Sequence, residues 1–73
     1  MGRDLVQIIK TIQGGLTQNE FSKRCGISSS NLTRIYRGEQ HPSPGLLKKI
    51  ADFSEDQIMY ETLMIAAGYL ERR

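Results

Sequence analysis

The sequence predicts an all-α fold, a compact bundle of five short helices. Three observations lead there. No stretch of five or more residues alternates between apolar and polar as a half-buried strand does. Apolar residues recur instead at three- and four-residue intervals, interrupted by glycines and capping residues. The chain is also only 73 residues long with one cysteine, Cys25, so it forms one domain without a disulfide and depends on close helix packing.

Leu5, Ile8, Ile9 and Ile12 stand at i, i+3, i+4 and i+7, the apolar stripe of a first helix over about 3–13. Gly14-Gly15 ends it, since glycine enters the left-handed conformation without a Cβ clash. Thr17 and Glu20 then form a T-x-x-E capping box, and Leu16 with Phe21 the hydrophobic staple that accompanies it, so a second helix covers 18–25. Gly26 breaks that helix after two turns. Ser28 is the next N-cap, with Ile27 and Leu32 as a second staple. The third helix, 29–37, turns Leu32, Ile35 and Tyr36 inward and stops at Gly38. A polar loop from Glu39 to Ser43 carries His41-Pro42. Ser43-Pro44 opens the fourth helix, 44–52, with proline at the first position, where its missing N–H costs nothing. Its stripe is Leu46, Leu47, Ile50 and Ala51. Ser54 with Gln57 predicts a further capping box and Phe53 with Ile58 a third staple, giving a fifth helix over 55–67 capped by Gly68. No repeat, linker or low-complexity segment interrupts residues 1–73.

Composition removes several function classes. No apolar run approaches the roughly 18 residues of a membrane span, and no secretory signal opens the chain. A lone cysteine fits a reducing compartment, so a cytoplasmic location without membrane partners is expected. At 38% hydrophobic residues and a net charge of +2 the chain is globular rather than disordered. The small net charge hides an asymmetry. Between Thr17 and Lys49 six bases face Glu20 and Glu39, a local +4, and the remainder sums to −2. One face suits a polyanion and another something else; ordinary solvated charge is the plainer alternative.

Residues 18–37 carry the most information. Two short helices joined by a three-residue turn containing Gly26 have the geometry of a helix-turn-helix, whose second helix enters the DNA major groove. The outer side of helix 29–37 offers Ser28, Ser29, Ser30, Asn31, Thr33, Arg34 and Arg37. Short hydroxyls and an amide permit close approach, and arginine can bridge guanine O6 and N7.

The run from Leu16 to Ser28, LTQNEFSKRCGIS, resembles the second helix and turn of the phage-repressor and Cro-like (XRE-type) helix-turn-helix family. Ile35-Tyr36-Arg37-Gly38 and Pro42-Ser43 resemble the end of its third helix and the loop behind it. The resemblance covers about Leu5 to Leu70. It implies a lambda-repressor-like DNA-binding domain that acts as a dimer on paired half-sites. By that likeness Gln18 touches a phosphate and braces the recognition helix. Ser29, Ser30, Thr33 and Arg34 face base edges, and Asn31 and Arg37 meet the backbone. Three departures stand out. Ser22 occupies a position where the family often has alanine; serine is small enough, and its hydroxyl can bond a helical carbonyl. Tyr36 stands where many members carry a glutamate paired to a first-helix arginine. Thr11 is the expected counterpart here, so that ion pair is absent and Tyr36 packs instead. The base-facing positions are mostly serine, which discriminates bases poorly, so selectivity falls on Arg34 and on DNA shape.

Each candidate has a plainer reading. Arg34 competes as a surface ion-pair partner, and Arg37 as a complement to the helix dipole. Lys48 and Lys49 border the DNA or are simply solvated. Thr17 and His41 are backbone candidates; a lone histidine makes no metal site, and no metal or cofactor is expected. Cys25 lies on an apolar phase and reads as a small buried hydrophobe rather than a nucleophile. Gly14-Gly15 lacks the strand and G-K-[ST] of a phosphate loop, and no Ser-His-acid or Cys-His constellation exists, so catalysis is not expected.

The last helix exceeds the needs of one buried face. From Ile58 to Leu70 ten of thirteen residues are apolar or aromatic. The surplus points to a homodimer surface on Met59, Leu63, Met64, Tyr69 and Leu70, with helix five as the centre of a small core as the alternative. The sequence therefore predicts a regulator that binds double-stranded DNA sequence-selectively, a repressor by family likeness. The alternatives are a protein-interaction module, antitoxin-like or polymerase-contacting, and the DNA-binding end of a longer regulator.

Overall fold

Capping side chains and left-handed residues divide the chain into its helices. The computed structural model describes residues 2–71. It contains α1 (Gly2–Gln13), α2 (Gln18–Cys25), α3 (Ser29–Tyr36), α4 (Pro44–Ser54) and α5 (Gln57–Ala66). The Thr17–Glu20 box closes in both directions. The Glu20 amide donates to Thr17 Oγ1 at 3.1 Å, and the Thr17 amide donates to Glu20 Oε1 at 3.0 Å. Two amides at the helix end thereby gain partners. Ser28 and Ser43 accept from the amides of Ser30 and Leu46 at 3.2 Å and start α3 and α4.

The fifth helix begins differently from the sequence expectation. α4 continues to Ser54, whose hydroxyl donates to the Ala51 carbonyl at 2.7 Å and accepts from the Asp56 amide at 3.3 Å. Glu55 then adopts a left-handed φ of 59°, and Asp56 becomes the N-cap, its carboxylate accepting from the Ile58 amide at 3.0 Å. Ser54 therefore caps nothing, and the Gln57 side chain of the expected box lies outside the described residues. The Phe53–Ile58 staple is absent too. Phe53 packs edge-on against Phe21, ring centres 5.3 Å apart at 78°, and Ile58 is 72% exposed.

Burial fixes how the helices meet. α1 lies on α4 and α5, α2 on α3 and α4, and α4 against α5 is the most extensive packing. Leu5 and Ile9, Phe21 and Cys25, Leu32 and Ile35, Leu47 and Ile50, and Leu63 enclose the core. Each fully buried large side chain contributes about 1.5–3 kcal/mol by leaving water. Ser22 is buried among them with its hydroxyl donating to the Asn19 carbonyl at 2.8 Å, so no polar atom is stranded at the α2–α3 contact. No helix among the described residues is long and apolar enough to cross a membrane.

Candidate nucleic-acid interface

The turn that presents α3 is fixed by backbone bonds. Gly26 takes a φ of 75° and donates to the Lys23 carbonyl at 3.2 Å, and the next amide, Ile27, reaches the Ser22 carbonyl at 2.9 Å. A side chain at Gly26 would meet no neighbour, so the left-handed backbone itself is what calls for glycine there. With Leu32 and Ile35 buried, Ser28, Ser29, Ser30, Arg34 and Arg37 are left exposed, and Asn31 and Thr33 half-buried. Among the described residues no carboxylate pairs with Arg34 or Arg37, because the salt bridge present is Lys48–Asp52 at 3.2 Å.

Thr33 differs from its neighbours. Its hydroxyl donates to the Ser29 carbonyl at 2.9 Å and accepts from Gln18 Nε2, so it is engaged on both sides. Gln18 thus ties the start of α2 to the middle of α3. A second tie comes from α1. The Tyr36 hydroxyl donates to Gln13 Oε1 at 2.7 Å, and Gln13 Nε2 donates to the Leu16 carbonyl at 2.9 Å, which orients the amide. The expected counterpart Thr11 instead bonds the Gln7 carbonyl at 2.8 Å and lies exposed. Among the described residues no ion pair stands there, and Tyr36 packs against the core as expected, with its hydroxyl carried on to Gln13. Lys10 sits over the Tyr36 ring at 5.3 Å. Burial pushes the Tyr36 phenol up to about 12, with the nearby Cys25 adding to it, and burial pushes the Cys25 thiol up to about 11. Tyr36 is therefore a neutral hydrogen-bond donor, and Cys25 a thiol without nucleophilic character.

Two open hollows flank α3. One, about 540 Å³, is lined by Lys10, Gln13, Gln18, Thr33, Tyr36 and Arg37. The other, about 450 Å³, is lined by Ile27, Ser28, Asn31, Ser43, Leu46 and Lys49, at the starts of both α3 and α4. Among the described residues no carboxylate lines either. Lys10 and Arg37 supply the positive charge of the first, beside the start of α2, and Lys49 with two helix starts that of the second, so both suit an anion. Lys49 donates to the Gly26 carbonyl at 3.2 Å at the edge of the second. Its neighbour Lys48 turns away, pairing with Asp52 and lying 5.5 Å from the Tyr60 ring. Sequence reasoning missed Lys10 and Gln13 because their place beside α3 arises from packing across 23 residues or more of chain.

The other expected residues divide. Thr17 is exposed with its oxygen engaged in the capping box. His41 is exposed in the α3–α4 loop, its ring 5.5 Å from that of Tyr69. Of the expected dimer residues, Leu63 is corrected: at 0% exposure it belongs to the core and has no surface to offer a partner. Met59 and Met64 are half-buried against that core. Leu70, at 45%, and Tyr69, at 41%, are exposed, and Ile58 is more exposed than either.

Comparison with known proteins decides the family. The profile described as "Helix-turn-helix" matches residues 7–53, most of α1 through α4. The chain belongs to the helix-turn-helix family. The phage-repressor and Cro-like likeness of residues 16–28 stands with it. Two relatives come from Bacillus subtilis (strain 168). The "HTH-type transcriptional repressor RghR" is 39% identical over 57 residues, 77% of this chain and 41% of that protein. The "Uncharacterized HTH-type transcriptional regulator RghRB" is 37% identical over 57 residues, 77% of this chain and 40% of the relative. The matched stretch thus spans about two-fifths of each relative. No solved structure matches the chain.

Proposed function

We propose that the chain is a DNA-binding transcriptional regulator that inserts α3 into the major groove. The observation that carries this is the combination on one face of unpaired Ser29, Ser30 and Arg34 with a carboxylate-free hollow on each side. A groove-binding helix needs free donors toward the bases and cations toward the phosphates that border the groove. Arg34 reads a guanine, and Ser28, Ser29 and Ser30 adapt to the adjoining base edges. Thr33, with its hydroxyl engaged, offers a base only its methyl or its remaining lone pair. Gln18, Arg37 and Lys10 hold a phosphate on one side, and Asn31, Lys49 and the start of α4 hold one on the other, with Thr17 and His41 at the margins.

Repression is the outcome, by occupation of a promoter in the cytoplasm, and the likeness to RghR, a transcriptional repressor, supports the repression. A homodimer through apolar residues left exposed on and beyond α5, Ile58 and Leu70 among them, sets two copies of α3 about 34 Å apart along the duplex. The deciding experiment is selection from a random duplex pool at two salt concentrations. Enrichment of a two-fold symmetric site, with binding that weakens steeply as salt rises, is the expected result. Absence of binding even at low salt overturns the reading and favours a protein partner for the same helices.

A further inference from the structure

Residues 38–43 run beside α3. The loop leaves the helix at Gly38 and ends at Ser43, which lines the same hollow as Ser28 and Asn31 at the opposite end of α3. Its two ends are well held. The Gly38 and Glu39 amides donate to the Ile35 and Arg34 carbonyls at 3.1 and 2.8 Å, and Ser43 caps α4. The middle has less support. Pro42 has no amide proton, and it confines His41 before it to extended backbone. Among the described residues the one hydrogen bond that reaches residues 40–42 comes from Tyr69, whose hydroxyl donates to the Pro42 carbonyl at 2.8 Å.

Tyr69 is well placed to be a strut. Its own amide donates to the Met64 carbonyl at 2.9 Å, which fixes its base to the end of α5. Its ring stands beside that of His41, and the Pro42 ring is fully buried beneath the loop. We infer that Tyr69 is a positioning residue for DNA binding, holding the α3–α4 loop where His41 and the start of α4 meet the phosphate backbone. The inference rests on the DNA reading above and assigns Tyr69 a task distinct from dimer contact. Removing the strut leaves the α3 base-reading edge in place, so it weakens binding to all sequences together.

Tyr69→Phe in the full chain keeps the ring and removes only the hydroxyl. Amide exchange at Glu39 and Leu46, the hydrogen-bonded amides on either side of the loop, is expected to quicken. Affinity for the selected duplex is expected to fall about threefold to tenfold, the range of one hydrogen bond, and by the same factor for a mismatched duplex. Sedimentation stays unchanged. In a His41→Ala background the same substitution has a smaller effect, because the two act through one loop. Unchanged exchange overturns the strut itself. Unchanged affinity, an equal loss with and without His41, or dissociation of a dimer each overturns the positioning role. A wild-type chain that binds no duplex overturns the DNA reading and this role with it, and the exchange measurement still reports on the strut.

Discussion

Around α3 and between α4 and α5 the molecule presents opposite charge. The two hollows beside α3 carry Lys10, Arg37 and Lys49 and, among the described residues, no acid. The hollow of about 210 Å³ at the α4–α5 corner is lined by Asp52, Glu55 and Asp56, and its one cation, Lys48, is already paired to Asp52. The most exposed large apolar side chain among the described residues, Ile58, lies two residues after the acidic N-cap Asp56, on the α5 side. A net charge of +2 is therefore an average over two surfaces of opposite sign. The difference teaches that the molecule keeps a cationic surface suited to a polyanion apart from an acidic one.

The contrast is broken outright by removing what both faces stand on. Phe21 is fully buried and packs edge-on against Phe53, joining α2 to the end of α4. Phe21→Ala is expected to cost about 3–5 kcal/mol. For a domain this small that is a large share of the total stability. Urea unfolding measures it, and loss of DNA binding should track the unfolded fraction.

A smaller change sharpens the contrast within the α3 face. Arg34→Ala is expected to cost about 1–3 kcal/mol on the preferred duplex and to relax selection at one base position. Arg37→Ala should weaken all duplexes alike and lower the salt dependence by about one phosphate contact. Binding titrations on matched and mismatched duplexes at two salts separate them. Identical behaviour of the two variants would remove the distinction between base reading and backbone holding.

How far the sequence foretold these faces depends on the range of the contacts involved. Caps and left-handed glycines are local, so α2 was legible to the residue: Thr17, Glu20 and Gly26 sit next to what they bind. The start of α5 was not, because Ser54 and Asp56 are both good N-cap residues two positions apart, and the structure uses Asp56. The outer edge of α3 was legible from its serines and arginines. The part played by α1 was not, since the Tyr36–Gln13 bond spans 23 residues of chain. Leu63 illustrates a third limit. A helix apolar on most sides does not announce which side the core takes, and the structure buries Leu63 while leaving Ile58 outside.

Thr17→Ala tests the α2 cap on which the cationic side depends, with an expected loss of about 1 kcal/mol. It should also alter the response to acid. The Thr17 amide bond to the Glu20 carboxylate, then the Thr17 hydroxyl, hold Glu20 below its ordinary 4.5. A lowered carboxylate contributes stability that is present above its unfolded value and lost as pH falls through the folded one. Thermal unfolding between pH 6 and 3 should therefore show a weaker acid dependence when Thr17 cannot complete the box.

The smallest expected effect on the fold lies on the other face. Ile58 is 72% exposed at the first turn of α5 and takes no part in the core cluster. Ile58→Ser should change monomer stability by no more than about 0.5 kcal/mol, as surface substitutions away from caps and core do. If α5 joins two copies, the same change weakens self-association in sedimentation and lowers affinity for a two-fold symmetric duplex, while binding to a single half-site is unaffected. The half-site measurement is the discriminating one, because it reads the α3 face alone. Equal losses on half-site and full site would mean that Ile58 acts on the DNA side, and the division between the two faces would fail.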